Sequence, residues 1–195
     1  MKTRDRILTA SLALFNEEGV SGLSAVDIAA ALGISPGHLY YHFKGKAEIV
    51  STLFAAYEAE LALVLDGAVE TLAKPDADVA EMETQIRILL EETHDMRFLF
   101  REAGALTKAF PELSPRYRRV MSAQYGCVVD ILNGLAKRGA IKVKPKLVDG
   151  LARQIVLGLS FKLVQLDLEG APGAPRTQIA RAASEIMAPV QALAV

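Results

Sequence analysis

Apolar residues that recur every three or four positions constrain this chain more than any other feature. Each such stripe is the signature of a helix with one buried face. Five stripes follow one another, over residues 49–72, 79–90, 117–135, 147–166 and 179–190. No stretch sustains the alternation with period two that a half-buried strand requires. The sequence therefore predicts an all-α protein.

Composition narrows the classes of protein that this pattern allows. The 195 residues, of which 51% are apolar and 23% charged, suffice for one or two folded domains. The net charge of −1 excludes a uniformly basic nucleic-acid-binding protein, but it leaves room for a local basic face. Cys127 is the only cysteine, which excludes an internal disulfide framework and a cysteine-cluster metal site. We expect no metal and no cofactor.

The chain shows no signal for a membrane. No apolar run approaches the roughly 18 residues that cross a bilayer. The N-terminal run Ile7–Phe15 follows basic residues as in a signal peptide, but Asn16, Glu17 and Glu18 stand where small cleavage-site residues would be. We therefore expect a soluble, cytoplasmic protein whose first segment is an amphipathic helix.

The segment after this first helix carries several capping signals close together. Ser24 is predicted to cap a short helix, with Asp27 three residues later in the place of a capping-box glutamate. Gly33 is a natural left-handed residue at the end of that helix. Ser35 is the next predicted N-cap, and Pro36 opens the following helix.

Two short helices joined by a glycine turn form a helix-turn-helix, whose second helix enters the major groove of DNA. The exposed face of that second helix is predicted to carry Gly37, His38, Tyr40, Tyr41 and His42. Residues that cap helices can also meet DNA phosphates. The alternative is a plain helical hairpin without a role in DNA binding.

The run from Ser24 to Ile49, together with Arg6–Gly19, resembles the signature of the TetR (tetracycline-repressor) family of bacterial transcriptional regulators. The resemblance implies an N-terminal three-helix DNA-binding domain over residues 1–48. It also implies a larger helical ligand-binding and dimerisation domain over residues 49–195, in which the last two long helices pair with those of a second subunit. We place Leu163 and Ile186 on the outward surface of those helices.

The resemblance also assigns roles at the DNA. Ser24 and Ser35 resemble caps that contact phosphate, and Lys46 resembles a lysine that clamps the DNA backbone. The family often has threonine where Ala25 stands and a basic residue where Pro36 stands, so fewer polar groups face the DNA here. The predicted DNA-binding residues are Ser24, Ser35, Pro36, Gly37, His38, Tyr40, Tyr41, His42 and Lys46.

The implied function is a homodimeric repressor that a small, largely apolar effector releases from a palindromic operator in double-stranded DNA. Pockets for such effectors are lined mainly by apolar and aromatic side chains, with a few polar groups. The candidate effector contacts are Tyr57, Met82, His94, Phe98, Arg101, Met121 and Tyr125. Each of these residue types, taken alone, is more often an ordinary core or surface residue than a ligand contact.

Two other classes of protein remain as alternatives. A helical enzyme would need a phosphate loop, a zinc motif or an activated nucleophile, and the sequence has no recognisable form of these. A structural helical dimer without DNA binding would leave Tyr40, Tyr41 and Lys46 without a role. We expect no enzymatic activity.

Overall fold

The computed structural model describes residues 3–195, so residues 1 and 2 of the predicted N-terminal domain lie outside the described part. The described residues form ten helices and no strand, with a single isolated bridge between Ile141 and Ala194. The all-α prediction is confirmed. The helices are α1 (Thr3–Glu18), α2 (Ala25–Ala31), α3 (Pro36–His42), α4 (Lys46–Leu72), α5 (Val79–Asp95), α6 (Arg97–Arg101), α7 (Ala103–Ala109), α8 (Leu113–Arg138), α9 (Pro145–Leu168) and α10 (Pro175–Gln191).

The five apolar stripes lie on the five long helices α4, α5, α8, α9 and α10, as the spacing predicts. The segment Gly170–Pro175, which reads GAPGAP, leads from α9 into the start of α10. By contrast, α6 and α7 were not predicted. They span five and seven residues, too short for a periodic signal, and neither N-cap residue makes a side-chain capping bond. No helix of residues 3–195 is long and apolar enough to cross a membrane.

The chain divides into two compact units that interleave along the sequence. The first unit contains the residues up to Ala59 together with Asp95–Arg116. The second contains Glu60–His94 together with Tyr117–Val195. The predicted functional boundary between residues 48 and 49 falls inside α4 and inside the first unit, and it stays a prediction.

In the second unit, α9 and α10 approach closely through a glycine. A Cβ atom on Gly158 would lie 2.6 Å from Cγ1 of Ile186, so a larger residue there would push the two helices apart. The placement of Leu163 and Ile186 on the outward surface is wrong, because each is only 7% exposed within the subunit. The outward apolar residues of α9 include Leu157, which is 62% exposed.

Candidate nucleic-acid interface

Local sequence signals build the two short helices α2 and α3 as predicted. The backbone N–H of Asp27 donates to Ser24 Oγ at 3.2 Å, and that of Ser24 donates to Asp27 Oδ2 at 2.8 Å, which completes the capping box. Gly33 has φ of +64° and turns the chain after α2. Ala29 and Leu39 are fully buried and hold the two helices together.

The outer face of α3 is exposed and aromatic. Tyr40 is 49% and Tyr41 83% exposed, so about half of Tyr40 and most of Tyr41 are open to solvent. The ring of Tyr41 meets that of His42 edge-on, with centroids 5.1 Å apart. The rings of His38 and His42, one turn apart, have centroids at 5.4 Å. His38, Tyr41 and His42 therefore lie together on one accessible side of α3, with Pro36 and Gly37 exposed at its N-terminal end.

The two serine caps differ in what they can still bind. The Ser24 hydroxyl donates to Asp27 Oδ2 at 2.6 Å, and the hydrogen bonds from Ser24 lower the pKa of the Asp27 carboxyl. Ser35 Oγ accepts the His38 N–H at 3.1 Å, but its own O–H has no acceptor among the described residues. Ser35 can therefore donate to a phosphate without losing a bond, whereas Ser24 must first release Asp27.

Lys46 has partners inside the chain that the sequence does not reveal. Its half-buried side chain donates from Nζ to the carbonyl oxygen of Val20 at 2.7 Å and to that of Leu23 at 2.5 Å. An ammonium group has three N–H donors. One donor thus remains for the DNA phosphate that we expect Lys46 to bind.

The C-terminal end of α1 is bound by the start of α6, about 80 residues later in the chain. The amide of Asn16 donates from Nδ2 to the carbonyl of Asp95 at 2.8 Å, and its Oδ1 accepts the N–H of Phe98 at 3.1 Å. Arg101 donates to the carbonyls of Asn16 and Phe15 at 3.0 and 3.1 Å, and the Phe15 carbonyl also accepts the N–H of Gly19. The rings of Phe15 and Phe98 pack at 5.4 Å.

Glu102 binds the loop that follows α1. Its Oε1 accepts the N–H of Val20 at 2.8 Å, while its Oε2 accepts the N–H and the hydroxyl of Ser21 at 3.1 and 2.7 Å. Gly19 has φ of +87°, and a Cβ there would lie 2.5 Å from Glu102 Oε1. The sequence contains no signal for this contact, since its partners are 81 and 82 residues apart.

The seven predicted effector contacts divide between the two units, and their role stays a prediction. Tyr57, Phe98 and Arg101 belong to the first unit, where the ring of Tyr57 packs edge-on against that of Phe100 at 5.6 Å. Phe98 and Arg101 are the partners of α1 described above. Met82, His94, Met121 and Tyr125 belong to the second unit, where Met121 and Tyr125 line a common groove.

This groove lies between α8 and α9 and encloses about 510 Å³. At its rim Tyr125 donates its hydroxyl to Asp149 at 2.6 Å, which raises the pKa of the tyrosine, and Arg153 donates to the same carboxylate at 3.0 Å. Ser160 is 1% exposed, and its hydroxyl has no partner among the described residues. The lining residues are Met121, Ser122, Tyr125, Arg153, Val156, Leu157, Ser160 and Phe161.

Two further residues of α8 are buried in the second unit. Gln124 is fully buried, and neither its Nε2 nor its Oε1 has a hydrogen-bond partner among the described residues. Cys127 lies against the carbonyl of Leu65, with Sγ at 3.8 Å, and burial raises the pKa of its thiol to about 11. Such a thiol lacks the exposed, electropositive setting of a redox-sensing cysteine.

Among residues 3–195 no three His, Cys, Asp or Glu side chains are grouped to hold a metal ion.

Comparison with known proteins agrees with this architecture. A model of bacterial regulatory proteins of the TetR family matches residues 7–53, and a model of a bacterial transcriptional repressor matches residues 56–193. A crystal structure of a TetR-family transcriptional regulator from Marinobacter aquaeolei VT8 is 27% identical and superposes with a TM-score of 0.86. That comparison covers the whole chain and 92% of the Marinobacter protein.

Two curated relatives are similar over shorter lengths. The HTH-type transcriptional regulator AcrR of Shigella flexneri is 38% identical over 60 residues, which are 31% of this chain and 28% of AcrR. The regulator YttP of Bacillus subtilis is 26% identical over 127 residues, 60% of this chain and 58% of YttP. The chain thus matches less than two thirds of the length of either relative.

A helix-turn-helix with an exposed aromatic recognition face, followed by long helices, defines a class of DNA-binding transcriptional regulators. The family models together cover most of the chain. The chain belongs to the TetR family of bacterial regulatory proteins.

Proposed function

We propose that the protein is a homodimeric repressor that leaves a palindromic operator when a small, largely apolar effector binds. The observation that carries the DNA-binding proposal is the outer face of α3, where Tyr41 is 83% exposed on a helix whose N-terminus is capped by the Ser35 side chain. Adjacent exposed aromatic side chains of this kind are typical of an interaction surface. In this proposal Pro36, Gly37 and His38 lie near base edges, while Tyr40, Tyr41, His42 and the serine caps bind bases and phosphates.

DNA binding can be tested by selecting duplexes from a random pool with the wild-type protein. A dimer with two identical heads should enrich inverted half-sites. Tyr41→Ala should weaken binding to the selected duplex, by about 1–3 kcal/mol if the ring contacts a base edge. Leu63→Ala, at an exposed apolar side chain on α4, is the control and should bind as the wild type. Failure to enrich any sequence would favour a helical enzyme or a structural dimer instead.

The proposed dimer interface is the outer surface of α9 and α10. Leu157 and Phe161 flank a second groove of about 350 Å³, which also includes Gly158 and Ile186. A two-fold axis would bring two copies of this apolar surface together. Sedimentation should show a wild-type dimer at micromolar concentration and a monomer for Leu157→Asp. Leu63→Asp, at a leucine on α4 that is 68% exposed, should remain dimeric.

The effector is proposed to bind in the second unit, which contains the groove of Met121 and Tyr125 and the unpartnered amide of Gln124. A buried amide without partners costs about 1–3 kcal/mol, and a ligand with a carbonyl or hydroxyl group could supply the missing bonds. A ligand that binds better to the form unable to hold the operator would shift the population to that form. A shift from 1:99 to 99:1 requires a preference of about 10⁴-fold.

A thermal-shift screen of small apolar molecules, followed by a DNA-release assay, tests the effector proposal, because a ligand of the folded state raises the unfolding temperature, and the rise grows with the logarithm of its concentration. Gln124→Leu should leave the ligand-free protein as stable as the wild type or more so, since it removes an unpaired polar group. The same variant should lose the response to a hit compound while it still binds DNA. Unchanged binding and release in Gln124→Leu would contradict the assignment of that residue.

A further inference from the structure

In the loop between α1 and α2, the backbone of Val20 is hydrogen-bonded to both Glu102 and Lys46. The N–H of Val20 donates to Glu102 Oε1 at 2.8 Å, and the carbonyl of Val20 accepts from Lys46 Nζ at 2.7 Å. Val20 itself is buried, with 1% exposure. A carboxylate from the start of α7 and an ammonium from the start of α4 are therefore connected through one loop residue.

Glu102 binds the loop more extensively than a single hydrogen bond would. Its carboxylate accepts three hydrogen bonds from two consecutive residues, namely from the N–H of Val20 and from the N–H and the hydroxyl of Ser21. Bonds to an ionised acceptor are stronger than neutral ones. Gly19 lets the carboxylate come this close, since any Cβ at that position would collide with it.

Lys46 is bound at the other side of the same loop. Its ammonium donates to the carbonyls of Val20 and Leu23, which fixes its position and leaves a single N–H. A long lysine side chain that is already immobilised loses less entropy when it binds a phosphate than a free one does. The geometry of the loop thus determines where the Lys46 ammonium lies before DNA binds.

We propose that Glu102 is a positioning residue for DNA binding, which holds the Val20–Leu23 loop so that the Lys46 ammonium points its free N–H at a DNA phosphate. The inference rests on the proposed contact between Lys46 and the DNA backbone. Glu102 does not touch DNA itself in this scheme. Its effect on affinity passes through the loop to Lys46.

Simple electrostatics predicts the opposite change in DNA affinity when Glu102 is neutralised. The direction of the measured change therefore tests the proposal. DNA repels a negative charge, so neutralising an acidic residue near the interface should tighten binding. If Glu102 positions Lys46, Glu102→Gln should weaken binding, because the neutral amide cannot replace three charge-assisted bonds and presents an N–H to the loop amides. Glu102→Asp keeps the charge but shortens the reach, and it should weaken binding as well.

The experiment measures the dissociation constant of full-length protein for a duplex selected by the wild type, between 50 and 200 mM salt. We expect Glu102→Gln to bind about tenfold more weakly at the lower salt concentration, as for the loss of one charge-assisted bond. Lys46→Met should flatten the plot of log K against log salt by about 0.9, the slope of one phosphate contact. The double variant should bind within about twofold of Lys46→Met alone, because Glu102 then has no lysine to position.

Glu112→Gln is the control, since it removes one exposed negative charge in the same unit from a residue without a bond to the loop. It should bind DNA as tightly as the wild type or slightly more tightly. Circular dichroism and unfolding temperatures confirm that each variant is folded. Wild-type affinity in Glu102→Gln, or a loss that adds in full to that of Lys46→Met, would overturn the positioning role. Failure of the wild type to select any duplex would instead refute the proposed function.

Discussion

Two segments of the first unit, residues 24–46 and residues 95–110, obtain their structure in different ways. In the first segment, hydrogen bonds between residues three positions apart start both helices: Ser24 and Asp27 bond reciprocally, and the N–H of His38 donates to Ser35 Oγ. In the second segment, α6 and α7 begin without a side-chain cap, and their polar groups bind residues 79 to 86 positions away. Changes in the second segment should therefore affect the whole unit, while changes at the caps should stay local.

The largest effect is expected at Phe98, which is fully buried against Phe15. Phe98→Ala should lower the free energy of unfolding by about 3–5 kcal/mol, because it removes apolar contacts and leaves a cavity. Urea unfolding followed by circular dichroism measures this. Phe110→Ala, at a half-buried phenylalanine after α7, should cost clearly less. Equal costs for the two variants would mean that the contact with α1 is not what holds this segment.

A smaller effect is expected at Gly19. Gly19→Ala should destabilise the protein by about 1–3 kcal/mol, because alanine is strained at a positive φ and its Cβ displaces Glu102. Gly22→Ala is the matched control in the same loop, since a Cβ there meets nothing within 4 Å. That control should be neutral or slightly stabilising. Thermal unfolding of the two variants makes the comparison, and a reversed order would show that Glu102 does not constrain the loop.

Ser24→Ala and Ser35→Ala should each lower the free energy of unfolding by about 1 kcal/mol, the ordinary cost of a lost N-cap. Their effects on DNA binding should differ. Ser35→Ala should weaken binding more, because the Ser35 hydroxyl has a free hydrogen while that of Ser24 is donated to Asp27. Binding to the selected duplex checks the difference. Equal losses would indicate that DNA displaces Asp27 from Ser24.

The smallest expected effect is a loss of stability at low pH, where the Asp27 carboxylate becomes protonated. The hydrogen bonds from Ser24 lower the pKa of Asp27 below its ordinary value of 3.8, so the folded state favours the ionised form. The stability that this carboxylate contributes is therefore present above that ordinary value and is lost as pH falls through the lowered one. Asp27→Asn should be less stable than the wild type at pH 6, and the difference should shrink towards pH 3. A difference that is constant with pH would contradict the charged cap.

Local rules account for most of what the sequence predicts here. The five long helices follow from periodic apolar residues, and α2 and α3 follow from caps and a turn glycine that act over three or four positions. The partners of Glu102 and Arg101 depend on how distant segments meet, which no local pattern encodes. The error at Leu163 and Ile186 has a related cause, because a stripe identifies an apolar helix face but not whether its own subunit or another covers it.

The burial of Cys127 has a practical consequence for studying the recognition helix. With a pKa of about 11, only about one thiol in ten thousand is ionised at pH 7, so labelling reagents should react with it very slowly in the native protein. Since it is the only cysteine in the chain, Tyr41→Cys would introduce a single reactive thiol on the exposed face of α3. A spin label attached there would report the distance between the two reading heads of a dimer, with and without a bound effector, in a chain that needs no other substitution.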